Sequence, residues 1–187
     1  MTRFIIFIPL REQYTAHTMK KEHHYGRLIA SLVACLIPGY VALYLFTTSI
    51  PGWYSSLKKP DFLPSNLIVF YAIIIIFCLL GLSLYSIWNA GLNHNEVRAA
   101  LHLFVFTLIV FLLWFGSFFF LQALFFAFVI MVMVVAVMVC TLVQSLRSAV
   151  TSAFFMVPCL ILMLIICYAN LQIVLLNSGL PVWGIIP

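Results

Sequence analysis

The residues that could do chemistry are few, and most of them sit in one stretch, Trp53-Tyr54-Ser55-Ser56-Leu57-Lys58-Lys59-Pro60-Asp61-Phe62-Leu63-Pro64-Ser65. It offers two ammonium groups and a pair of amphipathic aromatics. Its prolines remove backbone donors and fix φ, which predicts a stiff, extended loop rather than a helix. Such a loop can cover and orient a bound molecule, but it holds no nucleophile beside a base. Beyond it, the long apolar runs carry no Asp, Glu, Lys or Arg, and of the histidines only His102, close to a helix start. General acid–base catalysis therefore has no evident actor. The five cysteines fall inside apolar runs with no CxxC spacing, so they read as small packing residues rather than a disulfide or zinc framework. His17, His23 and His24 lack spaced partners and read as part of a solvated tail. Inside the runs, Asn170 reads first as an interhelical hydrogen bond, and Trp114 as aromatic packing between helices or a ligand contact.

The elements that position these groups follow from composition. Hydrophobic residues make up 66% of the 187, charged residues only 7%, and mean hydropathy is +1.22. A soluble domain carries roughly 25% charge because its surface meets water. This chain cannot clothe a globule, whereas a bilayer needs only about 20 apolar residues per span. The formal charge of +5 forms no patch interleaved with polar surface, which excludes nucleic acid as a partner. Arg3, Arg11, Lys20, Lys21 and Arg27 precede the first run, and the other basic residues lie between runs, as in multi-span proteins.

Four apolar blocks divide the chain. The first spans about 28–47, with Pro38 inside, and the second about 67–88. The third, 99–143, is twice too long for one crossing at 1.5 Å per residue, so it must turn back, near Leu121–Leu124. The last spans about 152–177, after the link Gln144–Val150. The expected fold is all-α, an integral membrane bundle of five transmembrane helices. A basic tail (1–27) precedes the membrane domain (28–178) and a short tail (179–187) follows it. Met19 opens a compact basic segment and is a second candidate start. With five spans, an inside N-terminus collects seven Lys and Arg on its side against Lys58 and Lys59 on the other. The positive-inside rule thus puts the N-terminus in the cytoplasm and the Trp53 loop outside.

The loop also carries a resemblance. Trp53, Tyr54, Leu57, Lys59, Pro60 and Pro64 match, without a gap, the W-Y-x-x-L-x-K-P-x-W-x-P-P first loop of the TspO/MBR family, tryptophan-rich sensory proteins that include the mitochondrial translocator protein. Gly81, Tyr85 and Trp88 in the second helix, Trp114, Phe118 and Phe119 in the third, and Pro158 and Asn170 in the fifth are similar in spacing. There are departures. The motif's second Trp is Phe62 and its last Pro is Ser65. A second-helix Trp becomes Ile73 and a fifth-helix Trp becomes Leu162. The third-helix Gln and Asn become Thr107 and Phe111, and a fourth-helix Asp becomes Ile130.

The resemblance implies five helices around a cavity closed by the first loop. It implies a tetrapyrrole such as protoporphyrin or haem, or a sterol- or isoprenoid-like lipid, as ligand, with no resident cofactor. Carried over, the ligand-binding candidates are Trp53, Tyr54, Lys59, Pro60, Phe62, Pro64, Trp114, Phe126 and Asn170, with Lys59 at the rim for a propionate. The implied role is a sensor or transporter and the implied assembly a homodimer, for which Ala123 and Ala127, four apart, are the small-residue support. Porphyrin breakdown in the family leans on tryptophans that Ile73 and Leu162 replace, so no efficient enzyme is expected. The alternative is a structural or regulatory membrane module that acts through a partner after losing the ligand site.

Overall fold

A computed structural model describes residues 10–91 and 94–177, with side chains from Tyr25 onward. Most of the basic tail, with His17, His23 and His24, and the 179–187 tail lie outside those described side chains.

Helix α1 runs Leu10–Ser49 and α2 is a single turn, Trp53–Ser56. Helix α3 is Asn66–Asn89, α4 is Asn95–Phe115 and continues into a π-helical turn at Gly116–Phe120, α5 is Leu124–Ser148 and α6 is Val150–Leu176. Among the described residues, five stretches are long and apolar enough to cross a membrane: Tyr25–Ser49, α3, Asn95–Phe120, α5 and α6. The protein is an all-α, multi-pass membrane bundle, as its composition requires.

The helices end where the sequence supplies a reason. At the end of α1 the Ser49 hydroxyl donates to the Phe46 carbonyl and Gly52 N–H to the Ser49 carbonyl, which meets two of the carbonyls that the last turn leaves open. Pro51 then disfavours the helical region at Ile50 and stops the helix. The long apolar run breaks at 121–123, within the expected window. Leu121 N–H donates to the Gly116 carbonyl at 2.9 Å and Ala123 N–H to Ser117 at 3.1 Å. Gln122 takes φ +56°, a left-handed conformation that an L-residue adopts at a cost.

Two expectations need correction. The Trp53 loop is not extended throughout: α2 folds Trp53–Ser56 into a helical turn. Its prolines flank that turn rather than interrupt it, and Ser55 and Ser56 bond back to the Gly52 and Trp53 carbonyls. The link before the last span is also shorter than expected, because nothing in Gln144–Ser148 breaks a helix. Only Ala149 leaves the helical region, with φ −155° and ψ 74°.

Packing is closest between α1 and α3. A Cβ on Gly81 would stand 2.8 Å from Leu32 Cδ2 and 3.1 Å from its Cα, and one on Gly39 would stand 2.8 Å from the Phe77 ring. Small residues let membrane helices approach to van der Waals contact where lipid gives no hydrophobic drive. Ala123 and Ala127 are buried within the bundle. They serve its own packing and are not a free face for a second copy.

Candidate ligand-binding cavity

The Trp53 loop caps one end of the bundle through aromatic contacts. Tyr54 is buried and meets Phe46 edge-on at 5.7 Å, with Phe119 also at 5.7 Å. Trp53 meets Phe118 edge-on at 5.5 Å. The π-helical turn makes this possible. Its wider winding keeps Phe118 and Phe119 both buried, below Trp114 and Phe115 of the preceding turn. π-turns are rare and concentrate at functional sites.

The loop is also tied to the far end of the chain. Asn177 accepts from the Lys58 N–H at 3.1 Å and donates to the Lys58 carbonyl at 2.8 Å, so one amide side chain pairs with one backbone residue at both ends. Phe62 stacks on Tyr168 of α6 at 5.3 Å. The Lys59 ammonium lies 3.8 Å from the centre of the Tyr54 ring, an attractive cation–π placement. Burial pushes the Lys59 pKa down and the Tyr54 pKa up, since each loses water around its charged form.

Under this lid lies a cavity of about 260 Å³. Tyr54, Leu63 and Pro64 form its roof. The Ile68–Ile76 face of α3, the Trp114–Phe119 aromatic group and the Leu162–Ile173 face of α6 form its walls. Pro60 opens the turn that delivers Leu63, whose N–H donates to the Pro60 carbonyl at 3.0 Å. Ile68 and Ile165, on facing walls, are 57% and 49% exposed, so the rim lies on the outer surface of the bundle between α3 and α6.

Three polar atoms in these walls are unmet. Trp114 Nε1 and both Asn170 amide atoms are buried without a hydrogen-bond partner among the described residues. Each residue is at most 5% exposed. A buried polar group without a partner costs about 1–3 kcal/mol, so unmet groups in a native wall require an explanation.

The candidates named from sequence separate into three groups. Tyr54, Pro64, Trp114 and Asn170 line the cavity. Trp53, Lys59, Pro60 and Phe62 belong to the lid and fasten or shape it from outside the wall. Phe126 belongs to neither, and its place is a correction: it is 48% exposed on the outer side of α5. Helical periodicity turns Leu124, Ala127 and Ile130 inward, which sends Phe126 outward.

Sequence reasoning missed Asn177, which looked like the end of a span, and the alanines at 72 and 169, which make room. Ile73 and Leu162 were read as losses, yet both line the cavity. Aliphatic side chains where the resemblance has indoles were the available signal that this chain keeps space there. Thr107 and Phe111 take other work: Thr107 pairs with Thr141 at 2.9 Å, and Phe111 stacks on Phe77 at 5.7 Å and on Trp114 at 5.9 Å.

Comparison with known proteins adds the chain's relatives. The TspO/MBR family profile matches residues 31–176. The tryptophan-rich protein TspO of Chlorobaculum tepidum is 28% identical over 144 residues, 76% of this chain and 90% of that protein. The tryptophan-rich protein TspO of Archaeoglobus fulgidus is 32% identical over 74 residues, 39% of this chain, and the match spans about half of that relative, 48% of its length.

Proposed function

The chain belongs to the TspO/MBR family, and from that premise we propose that it is a membrane-embedded binding protein, a sensor or transporter, for a hydrophobic small molecule held under the Trp53 lid. The observation that carries this reading is the trio of unmet polar atoms, Trp114 Nε1 and the Asn170 amide, in an otherwise apolar wall. An apolar pocket with a few placed polar groups is the usual design of a small-molecule site. Against the alternative of a purely structural module, a bundle that had lost its ligand would gain stability by filling the space and replacing Asn170.

Of the ligand classes implied by the resemblance, the lipid-like one fits the walls better than a tetrapyrrole. The two carboxylates of protoporphyrin would find Lys59 only at the lid. The reading is one of binding rather than catalysis, since Ile73 and Leu162 stand where the resemblance implies tryptophans. The positive-inside count supports a cytoplasmic N-terminus, with the lid on the opposite side. A homodimer fits the resemblance alone.

The test is mass spectrometry of what co-purifies from mild detergent with the wild type and with Ala169→Phe. The expected result is a small hydrophobic molecule on the wild type, lost from a variant whose helical content is unchanged. Identical cargo on both, or none on either, overturns the cavity as the site. Protoporphyrin under light gives a second readout: rapid protein-dependent bleaching would overturn the non-enzymatic reading.

A further inference from the structure

We propose that the ligand is compact and uncharged, with an apolar body about the size of a ten-carbon isoprenoid and one neutral head that both accepts and donates hydrogen bonds, as an alcohol or primary amide does. This rests on the cavity reading above and adds the chemical class of the ligand.

Charge comes first. Among the described residues, no Lys, Arg, His, Asp or Glu belongs to the cavity wall. The lid's Lys59 is engaged over the Tyr54 ring and stands outside the wall. A carboxylate or ammonium drawn into this space would lose its water and gain no counter-charge, the most expensive kind of burial. A neutral head loses far less.

The polar atoms then describe that head: Trp114 and Asn170 both line the cavity, and their polar atoms, covered in this structure, reach a ligand once either side chain turns. Trp114 Nε1 only donates, while Asn170 offers one acceptor oxygen and a donor nitrogen. Together they ask for a group with at least one lone pair and one hydrogen. A hydroxyl meets both demands, as does a primary amide, which can also pair with the Asn170 amide at two points. A ketone or ether leaves Asn170 Oδ1 unmet, and a hydrocarbon leaves all three atoms unmet.

Volume sets the body. An apolar cavity of about 150 Å³ holds benzene, and pockets for drug-sized ligands begin near 300 Å³. At about 260 Å³ the space encloses a single ring system or a short branched chain, and a macrocycle would protrude through the rim between α3 and α6. Its aliphatic walls at Ile73, Ile76 and Leu162 suit branched carbon, and the rim between α3 and α6 faces the bilayer, where such molecules partition.

The experiment uses the full chain in nanodiscs with ¹⁵N-labelled tryptophan, which gives one indole N–H signal for each of the 4 tryptophans. Trp114→Phe identifies the signal of Trp114. Geraniol, geranamide, geranic acid and the hydrocarbon myrcene share a ten-carbon skeleton and differ in the head. At pH 7.5 geraniol and geranamide are expected to move the Trp114 signal saturably. Geranic acid and myrcene are expected to bind about tenfold more weakly or worse, with the acid recovering as lower pH protonates it. Asn170→Leu should remove the advantage of the alcohol and amide while leaving myrcene unchanged.

Geranic acid at pH 7.5 or myrcene binding as tightly as geraniol overturns the inference about the head and leaves the cavity reading in place. No saturable shift with geraniol or geranamide overturns the inference as well. The cavity reading then rests on the separate co-purification result from Ala169→Phe.

Discussion

The two ends of the bundle treat buried polarity in opposite ways. Away from the lid, hydroxyls are spent on holding helices together. Ser83 of α3 meets Ser152 of α6 at 2.6 Å, and Thr107 of α4 meets Thr141 of α5 at 2.9 Å, one hydroxyl donating to the other while the acceptor of the two donates to a carbonyl of its own helix. Under the lid, Trp114 Nε1 and the Asn170 amide are equally buried and have no such partner. The ends also differ in space, since Gly81 admits Leu32 to contact at one and Ala72 and Ala169 border a cavity at the other. Ser31, buried near the first of these contacts with its hydroxyl unmet, and Asn89, whose side-chain oxygen is unmet where α3 ends, are exceptions that nothing in the structure explains. The contrast teaches that polarity in a membrane interior is informative only together with its partner list. A satisfied hydroxyl pair is glue. An unsatisfied amide in a cavity-lining residue has no such role within the bundle.

The largest effect should come from adding volume at each end. Gly81→Leu forces a side chain into Leu32 where even a Cβ stands at 2.8 Å, and overpacking of this kind costs about 1–3 kcal/mol. Its midpoint in thermal unfolding in detergent should fall well below that of the wild type. Ala169→Phe, which adds a similar volume, enters the cavity that Ala169 lines and should unfold near the wild-type temperature while losing ligand. Equal destabilisation by the two would break the comparison, because the lid end would then be as tightly packed as the other.

Next in size is the tie between the lid and α6. Asn177→Ala removes both hydrogen bonds to Lys58 and a third to the Ile173 carbonyl. The net loss should be about 2 kcal/mol. The closed lid would then open about 30-fold more often, at 1.4 kcal/mol per factor of ten. Hydrogen exchange at the Lys58 amide should accelerate by that factor while amides in the middle of α3 and α6 keep their protection. Acceleration spread evenly over the bundle would mean that Asn177 supports the whole fold and not the lid.

How much of this was legible in the sequence depends on what each feature requires. The turn at 121–123 was legible because no helix can be twice as thick as the bilayer it crosses. The lid was legible because its Trp, Tyr, Lys and Pro residues stand apart from everything around them. The site was legible only in part. Phe126 entered the site through the resemblance alone, and helical phase, which a run of uniformly apolar residues does not reveal, sends it outward. The Asn177 tie joins residues 119 apart in sequence and leaves no local pattern. The cavity itself is the room left by Ile73, Leu162 and two alanines, and absent side chains are the hardest feature to read from a list of those present.

Smaller effects should follow from removing polarity at each end, and here the sign matters more than the size. Thr107→Val breaks a satisfied pair and should destabilise by about 0.6 kcal/mol, with about 1.7 as the upper end for such bonds in membranes. Asn170→Leu removes an amide with no partner, so the ligand-free protein should become more stable while its affinity for a hydrogen-bonding ligand falls. Unfolding titrations with and without bound ligand separate the two. Loss of stability in ligand-free Asn170→Leu, as large as in Thr107→Val, would make Asn170 glue like the rest.

The smallest effect tests whether the lid end stores strain that the other end does not. Its turn passes through Gln122 at φ +56°, whereas the opposite turn passes through Ala149 at φ −155°, an extended conformation open to any residue. Glycine carries no Cβ penalty in the left-handed region, so Gln122→Gly should gain up to about 1 kcal/mol there. Ala149→Gly relieves nothing and adds backbone freedom to the unfolded chain, so it should lose about 0.5–1 kcal/mol. Opposite shifts in unfolding midpoint are therefore expected from the same type of substitution. A loss in both would mean that the Gln122 side chain, half-buried between the π-turn and α5, contributes more through its contacts than its backbone costs. The lid end would then be hollow without being strained, and the cavity would owe nothing to the conformation of its turn.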